Sequence, residues 1–404
     1  MTDFTSNWND ESILTSPYAP LGLIAMPGFE EFGRKVNDWL MKWRENQESL
    51  DETPLNSVLG YNRDNFLIDV ECPHFGNGEA KGLIKSSVRG YDLYILSDIG
   101  AYNLEYEMYG RKVPMSPDDH FQNLKRIIAA TGGRSSRINL IMPMLYEGRQ
   151  HRRTARESLD CALALQDLER MGVKNIITFD AHDPRVQNAV PMIPLDSVRP
   201  SYQILKALLR SEKDLQIDED HLMIVSPDEG AMDRNIYYAS MLELKLGVFY
   251  KRRDYTRIKE GSNPIIAHEY LGDSVEGKDI FVSDDILASG SSLLDLAEQL
   301  KERKARRIYC SVTFPLFTHG IEKFDKAYEE GLITKVISTN LTYTRPEVLN
   351  APWFVQADMS KYVSYFIASL NHDRSISSLL DPSRRIHKLV ARYKQEQIDN
   401  GIQF

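Results

Sequence analysis

The sequence predicts an α/β protein of two similar domains, each a mainly parallel sheet flanked by helices. Three observations carry that reading. Short apolar runs rich in β-branched and aromatic residues alternate with stretches of helical periodicity, as strands joined by crossover helices do. A chain of 404 residues is too long for one ordinary domain and suits two. Finally, Asp92-Leu-Tyr-Ile-Leu-Ser-Asp98-Ile99 is echoed by Asp279-Ile-Phe-Val-Ser-Asp-Asp285-Ile286, the kind of trace a duplicated unit leaves.

In chain order, the runs Leu21–Ala25, Phe66–Val70, Leu93–Leu96, Ile138–Met142 and Asn175–Phe179 predict strands of the first domain. Those at Leu222–Val225, Leu246–Tyr250, Ile280–Ser283 and Ile308–Thr313 predict strands of the second. Most are apolar throughout, as strands covered on both faces are. Helices are predicted where apolar residues recur at three or four: Phe29, Phe32, Val36, Leu40 and Trp43; Phe121, Leu124 and Ile128; Leu159, Leu163 and Leu168; Leu293, Leu296, Ala297 and Leu300. Pro191–Pro200 interrupts the pattern and reads as the domain boundary, and Glu45–Asn65 and Gly261–Ser274 read as polar insertions. The expected division is residues 1–195, residues 196–345, and a helical tail over 346–404 packed back on the N-terminal domain.

Composition narrows the function classes. With 42% hydrophobic and 26% charged residues, the chain can build a sizeable core and is neither disordered nor fibrous. Its 49 Lys+Arg against 58 Asp+Glu leave a net charge of -9, which argues against nucleic acid or an anionic membrane as partner. Cys72, Cys161 and Cys310 form neither a CxxC pair nor a zinc pattern, so a reducing cytoplasm is the expected compartment. The first residues, MTDFTSNWNDESILTSP, contain no apolar leader, and no stretch reaches the length of about 18 apolar residues that a membrane span needs.

Chemistry concentrates at the ends of predicted strands, where ligands of open α/β sheets bind. Ile280-Phe-Val-Ser-Asp284-Asp285 delivers two adjacent carboxylates, and Ala288-Ser289-Gly290-Ser291-Ser292 then opens a helix. Helix-start amides and serine hydroxyls can hold a phosphate while paired carboxylates bind sugar hydroxyls, which describes the two ends of a ribose 5-phosphate. An ordinary serine cap would leave the same pattern. Arg149, Arg152, Arg153 and Arg156, beyond the run Ile138–Leu145, suit a polyphosphate clamp or a solvated basic face. Asp180-Ala-His182-Asp183 ends another strand, and His182 there is either a phosphate contact or a satisfied structural histidine. Asp228-Glu-Gly and Lys251-Arg-Arg253 end two more. No GxxxxGK[ST], kinase loop set or GxGxxG is present.

Taken together these motifs resemble the ribose-phosphate diphosphokinases, or PRPP synthetases, of the type I phosphoribosyltransferase fold. The resemblance runs with gaps from about Leu21 to Thr344. Gly148-Arg-Gln-His-Arg-Arg is similar to the family's ARQDRK, Asp180-Ala-His182 to DLHA, and Val225-Ser-Pro-Asp228-Glu-Gly to VSPDxGG. Phe75-Gly-Asn77-Gly-Glu79 is similar to its FSDGE or FSNQE hairpin.

The resemblance implies two duplicated phosphoribosyltransferase-like domains and transfer of diphosphate from ATP to the 1-hydroxyl of ribose 5-phosphate, with Mg2+ as cofactor. It places Phe75, Asn77 and Glu79 on an adenine in a neighbouring subunit, with Arg149 and Gln150 beside the ATP. His182 and Asp228 organise magnesium, Lys251 and Arg253 stabilise the transferring group, Asp284 and Asp285 hold the ribose, and Ser289, Gly290, Ser291 and Ser292 cradle its phosphate. A homo-oligomer, dimer-based and up to a hexamer, is implied. The chain departs from the family pattern: Ala288 replaces the third acid of DDxxDTGGT, His151 the acid of RQD, and Ala231 a second glycine. Two other readings stay open, a phosphoribosyltransferase that consumes PRPP and a non-catalytic regulatory subunit.

Overall fold

Strands with apolar side chains on both faces are stable only between two helical layers, and this chain builds two such sandwiches. The computed structural model describes residues 16–48, 63–153, 155–253 and 265–399, without the side chains of 46–48, 251–253 and 265–268. In the first domain β1 (Leu21–Ala25) leads into α1 (Glu30–Glu48). The small hairpin β2 (Val70–Glu71) and β3 (Leu83–Ile84) precedes β4 (Asp92–Leu96), and a second, β5 (Glu105–Met108) and β6 (Arg111–Pro114), precedes α2 (Pro117–Ala130). Then come β7 (Arg137–Ile141), α3 (Asp160–Arg170), β8 (Asn175–Phe179) and β9 (Leu195–Val198). The sheet order is β1-β4-β7-β8-β9, all parallel.

The second domain opens with α4 (Ser201–Ser211), β10 (Leu222–Ser226), α5 (Met232–Leu242) and the antiparallel pair β11 (Leu246–Arg253) and β12 (Ile265–Leu271). It continues through β13 (Asp279–Leu287), α6 (Ser291–Glu302), β14 (Ile308–Pro315), α7 (Glu322–Glu329), β15 (Lys335–Thr339), α8 (Pro346–Leu349) and β16 (Phe354–Ala357). Its order is β12-β11-β10-β13-β14-β15-β16. The chain moves outward from β10 to β12 and returns to the other side of β10 at β13, so β10 and β13 flank a topological switch point.

Both sheets begin an interior strand with the same device. Asp92, wholly buried at the start of β4, pairs with Arg137 at the start of β7. Asp279, wholly buried at the start of β13, pairs with Arg306 and Arg307 just before β14. The echo in the sequence is therefore an echo in structure.

Four expectations change. Gly261–Ser274, read as a polar insertion, carries β12 of the second sheet. Phe66–Val70 is not a full strand: it is held to β1 by a bridge at Leu67, with backbone bonds between Leu23, Phe66 and Ile68. The segment Pro191–Pro200 contains β9, which extends the first sheet. The tail is not all helical, since it begins by adding β16 to the second sheet. It then crosses to the first domain, where Tyr362, Val363, Phe366 and Ile367 of α9 (Ser360–Asn371) pack with Phe29 and with Phe32, Val36 and Leu40 of α1. After α10 (Ser377–Leu380) it returns as α11 (Ser383–Asp399), which sets Ile386, Val390 and Tyr393 among α4 and α5 residues. No described helix is long and apolar enough to cross a membrane.

Candidate active site

The crevice at the switch point is built by loops leaving β10 and β13. β10 ends at the buried Ser226, whose hydroxyl donates to the Asp228 carbonyl at 2.8 Å. The Asp228 carboxylate accepts the amides of Gly230 and Ala231 at 3.0 and 3.1 Å, folding the loop into the start of α5. One turn on, the buried Asn235 ties that helix to β13, accepting from the Ser283 amide at 3.0 Å and donating to its carbonyl at 2.8 Å. The loop geometry is thus fixed from beneath before any side chain enters the crevice.

Asp284 and Asp285 follow Ser283 directly. Asp285 is buried and accepts from His182 Nδ1 at 2.8 Å, a contact that crosses from the first domain to the second. Asp284 is more open and lies 3.7 Å from Arg234 Nη1. The two carboxyls are driven apart in acidity. Burial and the adjacent Asp285 charge push the Asp284 carboxyl up. Burial also acts on Asp285, but the hydrogen bond from His182 and the charge of Arg234 outweigh it and hold that carboxyl low. The His182 ring is raised in turn, first by the hydrogen bond to Asp285, against burial and the nearby charges of Arg149 and Arg234.

Arg234 is the hub beneath this pair. Its Nε lies 2.9 Å from Asp180 Oδ2, and its Nη2 lies 3.0 Å from Asp180 Oδ1. Thr313 of β14 donates to the same carboxylate at 2.6 Å. Asp180 sits at the end of β8 with a left-handed φ of 47°, turning the chain so that His182 reaches across. His151 lies alongside, its Nε2 3.3 Å from Asp183 and its ring 5.5 Å from that of His182.

Beyond β13 the loop Ala288-Ser289-Gly290 enters α6. Gly290 has φ 76°, and a Cβ there would stand 2.3 Å from the buried Phe324 ring, so only glycine fits the turn. Gly290 offers no side chain to cap the helix; the Leu293 amide turns back to the Gly290 carbonyl at 3.1 Å, and the Ser291 and Ser292 amides at the helix start are the donors placed for an anion. Ser289 Oγ lies 3.4 Å from both the amide and the hydroxyl of Ser291. The arrangement can take a phosphate at the helix start and hydroxyl groups at the carboxylate pair.

The structure brings His182, Asp284 and Asp285 together, sets Ser289, Gly290, Ser291 and Ser292 immediately after them, and places Arg149 near enough to act on His182. Gln150 is held within its own loop by a bond to the Ser158 carbonyl at 3.0 Å. The backbone of β11 carries residues 251–253 at the carboxyl end of the strand beside β10. The side chains of Lys251 and Arg253 lie outside the described residues. Phe75, Asn77 and Glu79 form a separate hairpin tip. Asn77 donates to Glu79 at 3.0 Å, and Phe75 is 50% exposed. Sequence reasoning passed over Arg234, Asn235 and Thr313. For Arg234 the available signal was an arginine in the first turn of the helix that follows the Pro227-Asp228-Glu-Gly loop.

Comparisons with known proteins point the same way. The family model for the N-terminal domain of ribose phosphate pyrophosphokinase matches residues 48–172, and that for the phosphoribosyl transferase domain matches 195–342. A ribose-phosphate pyrophosphokinase of Shewanella oneidensis is 27% identical over 316 residues, 78% of this chain and 91% of that protein. Ribose-phosphate pyrophosphokinase 1 of Listeria monocytogenes is 28% identical over 311 residues, 76% and 88% of the two chains. The crystal structure of phosphoribosylpyrophosphate synthetase from Mycobacterium smegmatis superposes with a TM-score of 0.67 at 20% identity, covering 88% of this chain and 99% of that one. With both domains matched in order and each relative matched along most of its length, the chain belongs to the ribose-phosphate pyrophosphokinase family.

Proposed function

We propose that this chain transfers the β,γ-diphosphoryl group of ATP to the 1-hydroxyl of ribose 5-phosphate, giving phosphoribosyl diphosphate and AMP. The observation that carries the reading is the switch-point crevice, where a carboxylate pair, Asp285 buried and Asp284 open to the crevice, stands just before a glycine-turned helix start. Ribose hydroxyls meet Asp284 and Asp285, and the 5-phosphate meets the amides and hydroxyls of Ser289 to Ser292. Asp285, held anionic by His182, accepts a ribose hydroxyl, while Asp284 accepts or donates according to its proton. Anchored at both ends, the sugar presents its 1-hydroxyl to a diphosphoryl group held on the β10 and β11 side. There Arg149, Lys251 and Arg253 neutralise charge that grows on the transferring oxygens and on AMP.

Magnesium fits the donor chemistry in one way. Among the described residues no group of three or more His, Cys, Asp and Glu side chains gathers as a metal cage. Magnesium commonly uses one or two carboxylates together with substrate phosphates, and Asp228 is the carboxylate in place for that. When bound, it supplies charge neutralisation to the diphosphate. His182 Nδ1 is engaged by Asp285, so His182 serves better to fix that carboxylate than as a direct ligand. The hairpin of Phe75, Asn77 and Glu79, with its exposed ring, suits an adenine in a neighbouring subunit of a homo-oligomer. Purified chain incubated with ATP, Mg2+ and ribose 5-phosphate should yield AMP and phosphoribosyl diphosphate in equal amounts. Formation of neither product overturns the proposal and favours a regulatory subunit.

A further inference from the structure

Away from the crevice, α1, α4, β16, α9 and α11 line a cavity of about 820 Å³ that is open to solvent on one side. No crevice residue lines it. Only its α4 wall falls within the spans matched by the family models, because α1 precedes or barely touches residue 48 and the other walls follow residue 342. The tail that crosses between the domains creates this space.

Its lining is cationic and aromatic. Lys206, Lys361 and Arg385 are half-buried in the walls, and Arg210 and Lys388 stand exposed at the rim. Asp358 is the one carboxylate in the lining, and its Oδ1 already accepts from Asn340 at 2.9 Å and the Ser360 amide at 2.8 Å. The cations are set over rings. Lys361 Nζ lies 4.6 Å from the Trp39 ring centroid, and the Arg385 guanidinium lies 5.5 and 5.3 Å from Tyr202 and Tyr362. Arg385 also donates from Nη2 to the Ser378 and Leu379 carbonyls at 3.2 Å, bonds to neutral groups that leave its charge in place for an incoming anion. The volume lies within the range of about 300–1,000 Å³ typical of small-molecule sites and is larger than a lone phosphate requires.

We propose that this cavity is a second binding site, distinct from the crevice, for a nucleotide: a phosphate chain against Lys206, Arg210, Arg385 and Lys388, with a flat heterocycle among the aromatic residues. Five cations against one committed carboxylate select the phosphate chain, and the rings select what is attached to it.

Photolabelling with 8-azidoadenosine 5′-triphosphate followed by peptide mapping tests the proposal, because position separates this site from the crevice whether or not the crevice is labelled too. Label is expected on peptides from 201–211 or 360–371. Arg210→Glu combined with Lys388→Glu alters two exposed residues outside the crevice and should lower that label about tenfold, since each lost exposed charge contact is worth about half a decade. Labelling at the crevice should stay unchanged. In the wild-type protein, unlabelled tripolyphosphate should displace the cavity label more effectively than adenosine. Label confined to crevice peptides, equal labelling of the charge-reversed variant, or displacement by adenosine alone would each overturn the proposal.

Discussion

His182 and Asp285 show how one contact sets the charge of the crevice. The hydrogen bond to Asp285, together with the Asp285 charge, raises the His182 ring against burial and the charges of Arg149 and Arg234, which push it down. A histidine whose folded pKa is raised contributes its interaction in full below about 6.5 and loses it as pH rises through the raised value. The contact between the domains at this point should therefore weaken on the alkaline side. In Asp285→Asn every downward influence remains and the upward one is lost. The His182 midpoint, followed by NMR of its ring, should then fall to the ordinary value or below. An unchanged midpoint would mean that the pair does not form in solution.

At the scale of elements, the duplicated carboxylates make a comparison possible. Asp92 is wholly buried, and Arg137 is the cation on it, with Tyr94, Asn139 and Asn371 as neutral donors. Asp279 has two cations, Arg306 and Arg307. Arg137→Met leaves a buried charge without its counterion and should cost about 3 to 5 kcal/mol, whereas Arg306→Met leaves Arg307 in place and should cost about 1 kcal/mol or less. Denaturant unfolding of the two variants measures the difference, and equal losses would refute the account. The same scale explains what the sequence made legible. Strands such as β4 and β13 are buried on both faces and announce themselves as unbroken apolar runs. The strand β9, LDSV at a sheet edge, and the exposed hairpin of β5 and β6 carry no such signal. The Phe66–Val70 run is apolar because it lies on β1, although it pairs there at only one point. In the crevice, the strand-end carboxylates and the serine-glycine loop were readable because their chemistry is contiguous. Arg234 and Thr313 were not, since they meet Asp180 across 54 and 133 residues of chain.

For the whole molecule, the seam between domains carries its own pH dependence and poses the question of assembly. Asp98, buried after β4, accepts from the Tyr343 amide at 2.8 Å and the Thr342 hydroxyl at 3.0 Å in the other domain. Burial pushes its carboxyl up to about 6 despite those bonds. A raised carboxyl contributes stability fully below its unfolded value of about 3.9 and loses it as pH rises through the folded value. From this group the fold should lose up to about 3 kcal/mol between pH 4 and 8, and Asp98→Asn should flatten that slope in denaturant titrations. The assembly proposed above turns on the hairpin instead. Phe75 is 50% exposed at a tip turned by Gly78 at φ 91°, and the Tyr109 amide anchors the tip through the Gly76 carbonyl at 2.8 Å. A rigid exposed ring of this kind has no task within its own chain if it covers a neighbour's adenine. A Phe75→Ala chain then keeps a sound β11 end but lends a defective hairpin, while a Lys251→Ala chain does the reverse. Each alone should be nearly inactive. Mixed at equal amounts in a dimer-based assembly, half the pairs are hybrids, and each hybrid holds one site with both wild-type halves, so about a quarter of wild-type activity should return. Hybrids verified by native mass spectrometry that recover nothing, or a monomer with full activity, would place the adenine within a single chain.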